Sequence, residues 1–214
     1  DEVRALVRRI VDATLDGGAA GPSAAPVQTP AADPGPPSLV SPAPAASASA
    51  PARAAGAVAV AIGADHGGWQ LKDAIGRMLA DAGFAVHDCG TNGPEAVDYP
   101  DIAHAVARLV ADGTCRWGII LDGAGIGSAM VANKVPGVRA ANCHDLSSAR
   151  NSREHNHANV LTLGARFLGE GLAIEIVRAW LGTDWAPGRH AARVEKISEI
   201  ERRYAAAAPG GPRR

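Results

Sequence analysis

No apolar run in this 214-residue chain approaches the roughly 20 residues a membrane-spanning helix needs, so the sequence holds no such span. Charge of one sign is lacking too: 21 Lys and Arg stand against 22 Asp and Glu. Without a basic field, nucleic acid and anionic membrane surfaces are excluded as partners. Cysteine is scarce, and Cys89, Cys115 and Cys143 do not have metal-ligand spacing. An odd, unspaced set points to a reducing, cytoplasmic setting and to inert buried thiols. Neither a G-x-G-x-x-G fingerprint nor a Walker A loop is present, which leaves dinucleotide and ATP binding weakly supported. No internal repeat is evident.

What the chain does have begins with an amphipathic segment. In residues 1–16, Val3, Leu6, Val7, Ile10, Val11 and Leu15 follow helical spacing, with arginines and aspartates opposite. It lacks the continuous apolar core of a secretory signal, and its acids do not suit a transit peptide. Asp1 opens the sequence where Met is expected, so further residues upstream are expected. Residues 17–56 are almost all Ala, Pro, Gly and Ser and hold nine of the 15 prolines. Such a stretch has too little apolar bulk to offset the entropy of ordering it, and reads as a disordered linker reaching about 35 Å or more. The helix either docks back on its own domain or targets another protein surface, and so long a leash favours the second.

From Ala57 the pattern becomes regular. Strands are expected at 57–62, 84–88, 117–121, 138–141 and 160–163. Helices are expected at 69–82, 99–112, 128–134, 145–154, 171–181 and about 190–205, before a polar tail at 206–214. Alternating strands and helices imply a doubly wound, five-stranded parallel α/β sheet in three layers, in a flavodoxin-like or Rossmann-like order. The centre of this domain is residues 117–141, a strand, a glycine loop, a helix and a strand. Asp122 closes the strand, and Gly123, Gly125 and Gly127 let backbone N–H groups approach and face negative charge. The carboxyl end of such a strand is where ligands of open α/β sheets bind.

Other polar residues are expected beside Asp122: Asp65-His66 after the first strand, His155-Asn156 ahead of the fifth and Arg166 after it. Arg189, His190 and Arg193 form a basic set suited to phosphate through bidentate guanidinium contacts. Each has a plainer reading, as a helix cap, a tight turn or solvated helix charges. His87, His104, His144 and His157 read as surface or structural residues.

The motifs ADHGG, VDYPDIA, G-x-G-I-G followed by ANKVPGVRAA, SREHNHANVL, LGAR and GRHAARV, in that order across residues 57–205, resemble the type B ribose-5-phosphate isomerase and galactose-6-phosphate isomerase family. The resemblance implies aldose–ketose isomerisation of a phosphorylated sugar without metal or cofactor, at a site shared between the two subunits of a homodimer or of a tetramer built from it. Asp65, His66 and Tyr99 would meet the sugar. The amides of Gly123, Ala124, Gly125, Ile126 and Gly127 would hold the enediolate oxygens. His155 would open the ring with Asn156 orienting the substrate, while Arg166, Arg189, His190 and Arg193 would grip the phosphate. One position departs from the family: its usual catalytic cysteine is Asp122 here, and the glutamate that another branch uses is Ser128. A carboxylate in a water-poor pocket is a reasonable substitute base for moving a proton between C1 and C2. Ribose 5-phosphate is the preferred substrate, with galactose 6-phosphate, allose 6-phosphate and a non-catalytic phosphosugar-binding module as alternatives. The leading helix and linker resemble the encapsulation peptides of bacterial microcompartments. This implies a shell or core protein as partner and a compartment lumen as location.

Overall fold

The structure, a computed structural model, describes residues 57–206. The leading helix, the linker and the last eight residues of the tail lie outside the described residues. In chain order the elements are β1 (Ala59–Ala64), α1 (Trp69–Asp81), β2 (Ala85–Asp88), α2 (Tyr99–Ala111), β3 (Trp117–Asp122) and α3 (Ile126–Ala132). They continue with β4 (Ala140–Asn142), α4 (Leu146–Glu154), β5 (Val160–Gly164), α5 (Glu170–Leu181) and α6 (Ala191–Ala206), with a 3-10 turn at Gly188–His190 before α6. None of these helices is long and apolar enough to cross a membrane.

All five strands run parallel in the order β2-β1-β3-β5-β4. The parallel three-layer sheet is as expected, but the last two strands are exchanged relative to the flavodoxin-like order. Burial gives the reason. Every residue of Val160–Gly164 is buried, as suits an inner strand covered on both faces, whereas Ala140–Asn142 is only half-buried and takes the edge.

Alternation along the inner strands divides the core between the two faces. Val60, Ile62, Trp117, Ile119, Leu121, Leu161 and Leu163 pack with Leu71, Ile75 and Leu79 of α1, Ala149 of α4, and Ile176 and Trp180 of α5. Ala61, Ile120 and Val160 face the other way, toward Ala103, Val106 and Val110 of α2 and Ala132 of α3. Pro100 sits in the first turn of α2, where its missing N–H costs nothing, and Asp145 caps α4 by accepting from the Ser148 N–H at 2.8 Å. Helix α3 starts two residues earlier than its composition suggests, directly after Gly125. It stops at Ala132 because the Asn133 amide turns to β4, accepting from the Ala140 N–H and donating to the Ala140 carbonyl, both at 2.9 Å.

Candidate active site

β3 delivers Asp122 to the carboxyl edge of the sheet, where its side chain is 6% exposed and turned into the glycine loop. Oδ1 accepts from the N–H of Ala124 at 2.7 Å and from that of Gly125. Oδ2 accepts from the Ser128 N–H at 3.1 Å and from its hydroxyl at 2.5 Å. An ionised carboxylate is acceptor-only and satisfies four donors in this way, so Asp122 shapes the loop whatever else it does. Gly125 takes φ +75°, and a Cβ there would stand 2.9 Å from the Leu163 carbonyl carbon, so only glycine fits. Gly127 is needed for a different reason: its missing Cβ leaves room for the Tyr99 ring, which would lie 2.6 Å away.

The loop carbonyls all turn back into the protein. Gly123 accepts from the Arg166 N–H at 3.1 Å, and Gly125 accepts from the Thr162 hydroxyl at 2.7 Å. Ala124 accepts from the Asn142 amide at 3.2 Å and from Nε2 of His144 at 3.3 Å. The N–H groups of Gly123, Ile126 and Gly127 remain without partners among the described residues. A loop with bound carbonyls and free N–H groups presents only positive dipoles to a ligand.

Several expected site residues gather at this edge. The Arg166 side chain passes over Gly123, with Nε 3.4 Å from where a Cβ would be. Asp65 follows β1 and accepts from the Gly67 N–H at 2.8 Å, and Nδ1 of His66 accepts weakly from the Val97 N–H at 3.5 Å. Tyr99 lies against Gly127. Lys72 is fully buried and donates to Asp88 at 2.5 Å and to Asn92 at 2.6 Å, pinning the segment that leads from β2 toward Tyr99.

The remaining expected residues are elsewhere. His155 and Asn156 follow α4 and precede β5, so they lie at the amino edge of the sheet, opposite Asp122. Their expected place beside the strand ends that carry Asp65 and Asp122 is corrected here. A residue ahead of a parallel strand belongs to the other end from a residue behind one. Arg189 and His190 share that amino edge: the His190 ring stacks on His155 with centroids 4.2 Å apart, and the Glu154 carbonyl accepts from the Ala186 N–H at 3.1 Å. Partial desolvation and the charges of His155, Arg189 and Arg193 hold the His190 imidazole below its ordinary value, favouring the neutral ring. Arg189 lies in the 3-10 turn and Arg193 in α6. The expected phosphate set is therefore divided within one chain, Arg166 at the carboxyl edge and the other three at the amino edge. No cluster of three or more metal-ligating side chains occurs among the described residues.

His144 and Asn142 were not legible as site residues. A lone histidine after a short strand carries no signal by itself, and the contact with Ala124 spans some 20 residues of sequence. A groove of about 640 Å³ between α1 and α5, lined by Met78, Phe84, Ile174 and Leu181, holds none of the expected site residues.

A carboxylate under a ring of free amides, with an arginine above them, is the equipment of an enzyme that acts on small oxyanions. Residues 60–197 match the ribose/galactose isomerase family, and the chain belongs to it. Ribose-5-phosphate isomerase B of Escherichia coli is 46% identical over 141 residues, covering 66% of this chain and 95% of that protein. D-erythrulose-4-phosphate isomerase of Pectobacterium atrosepticum is 45% identical over 141 residues, covering 65% and 93%. Among solved structures, ribose-5-phosphate isomerase B of Clostridium thermocellum aligns with a TM-score of 0.68 at 50% identity, covering 69% of this chain and 99% of that one. The Mycoplasma genitalium enzyme with bound ribulose-5-phosphate aligns with a TM-score of 0.66 at 39% identity, covering 68% and 97%.

Proposed function

We propose that this sugar-phosphate isomerase interconverts ribose 5-phosphate and ribulose 5-phosphate through an enediolate. The observation that carries the reading is the orientation of the glycine loop. Its carbonyls are held inward, and the N–H groups of Gly123, Ile126 and Gly127 are left for the sugar oxygens that become negative as the C2 proton departs. In this reading Asp122 takes that proton and returns it at C1, after one of its oxygens exchanges a loop bond for the substrate. Asp65, His66 and Tyr99 contact the sugar, and Arg166 stands over the loop.

The ring-opening and phosphate-binding residues His155, Asn156, Arg189, His190 and Arg193 come from a second copy of the chain. The division of the expected site between opposite edges of the sheet supports a homodimer with shared sites, because one chain offers each half and neither whole. Relatives of both five-carbon and four-carbon specificity match at nearly the same identity, so a substrate panel is the decisive test. Ribose 5-phosphate should be isomerised at the highest kcat/KM, above galactose and allose phosphates converted to ketose and erythrulose phosphate converted to aldose. A six-carbon phosphosugar turned over faster would replace ribose 5-phosphate, and binding without turnover of any would leave a phosphosugar-binding module.

Residues 1–16 form, in the same proposal, a targeting helix that binds a shell or core protein of a bacterial microcompartment. Its amphipathic spacing and the 40-residue linker support this, as does the family match, which begins only at residue 60.

A further inference from the structure

We propose that Asn142 and His144 are positioning residues of the isomerisation, holding the Ala124 peptide so that the glycine loop shows the enediolate its N–H groups and no carbonyl. This inference rests on the isomerase reading of the site. Both side chains leave the end of β4, cross to the loop after β3 and donate to the same oxygen, at 3.2 Å and 3.3 Å. A carbonyl only accepts, so Nε2 of His144 carries the proton and Nδ1 is unprotonated while the ring is neutral. The Phe167 ring packs on the imidazole at 5.6 Å between centroids and fixes its direction.

The electrostatic argument concerns peptide orientation. In the loop Asp-Gly-Ala-Gly, residue 124 is alanine, whose side chain supplies no donor. Rotation of the Ala124–Gly125 peptide would release the Gly125 N–H from Asp122 and aim a carbonyl lone pair at the ligand face. An acceptor there repels charge that develops only as the proton leaves, so its cost falls on the transition state and not on phosphate binding. Asn142 and His144 hold the oxygen side of this peptide while Asp122 holds the nitrogen side.

Asn142 shows that more than packing is at stake. With Nδ2 committed to Ala124, its Oδ1 is buried without a hydrogen-bond partner among the described residues. Turning the amide over would place two acceptor oxygens face to face, so the orphan cannot be relieved in that way. A side chain selected for stability alone at this position would be apolar.

The test uses the full-length protein and four readouts: kcat, KM, affinity for a phosphosugar hydroxamate that mimics the enediolate, and affinity for inorganic phosphate. Asn142→Asp replaces the donor with an acceptor at nearly constant shape, and His144→Ala removes the second donor. Each should lower kcat by at least about tenfold and hydroxamate affinity by a similar factor, with KM and phosphate affinity within about threefold of the parent. His144→Gln, whose amide can reach the same carbonyl, should restore most of the loss. If Asn142→Asp does not fold, the half-buried His144 and its glutamine rescue carry the test. Unchanged kcat, or hydroxamate and phosphate affinities falling together, would overturn the proposal. Should the unsubstituted protein turn over no phosphosugar, the isomerase reading fails by itself, and selective loss of hydroxamate over phosphate affinity still decides the role of these residues.

Discussion

His155 and His190 lie face to face, 4.2 Å between ring centroids and 8° from parallel, at the edge of the sheet opposite the one where Asp122 meets the glycine loop. In the proposed function the two halves of the site come from different copies of the chain, and complementation tests this. Asp122→Asn and the double variant His155→Ala/Arg189→Ala should each be inactive alone. Co-expressed, they form mixed dimers with one intact site, and activity should return to roughly a quarter of the parent level by statistical pairing. No recovery in dimers shown by mass to be mixed would place both halves in one chain.

Asp122→Asn in the homogeneous protein addresses the base itself. The amide keeps the size of the side chain but turns one of its acceptors into a donor facing loop N–H groups or Ser128. Turnover should fall by at least about a hundredfold while ribose 5-phosphate still binds, read by calorimetry. Ser128→Ala removes one of the four bonds and leaves the carboxylate, so it should cost less than about tenfold. Turnover that survives Asp122→Asn would exclude this residue as the base.

Gly125→Ala tests the loop's backbone. At φ +75° with the Leu163 carbonyl carbon 2.9 Å from the added Cβ, the substitution meets both strain and collision. A loss of about 1–3 kcal/mol is expected in chemical denaturation, together with a larger fall in kcat than in substrate affinity.

The central unit was largely legible. The apolar run ending in Asp122 and the spaced glycines set the strand and its loop, since a fully buried strand and a tight backbone approach leave those marks. The lateral order was less so, because periodicity reports which face a residue takes and not which strand lies beside which. The contrast between Val160–Gly164, apolar but for Thr162, and the short Ala140–Asn142 was the available clue. The edge taken by His155 follows from parallel topology alone and was misread from nearness to a strand. The clamp role of Asp122 could not be read at all, since it depends on a side-chain rotation settled by four donors, two of them on Ser128 six residues away.

Acid stability should depend on His157. Burial first, and then Arg139, Arg153 and Arg116, hold its imidazole below the ordinary 6.5, so the folded state prefers the neutral ring. The unfolded chain then binds the proton more readily, and stability falls as pH drops below about 6.5 until the lower folded value is passed. His157 also has φ 51°, a conformation asparagine tolerates. His157→Asn should flatten the decline as pH falls below about 6.5 in denaturation curves. An unchanged slope would assign the acid limb to other groups.

Removing residues 1–56 should leave kcat and KM within about twofold of the full chain, because the family match and every proposed site residue lie beyond them. In cells that make the compartment, the shortened protein should spread from foci to the whole cytosol. Lost activity would instead mean that the leading helix docks near the site.

Both borders of the sheet are brief: β2 spans four residues on one side and β4 three on the other. So few open backbone groups give a neighbouring chain almost nothing to zip onto. The folded domain can therefore be held at high concentration without its sheets fusing into fibres.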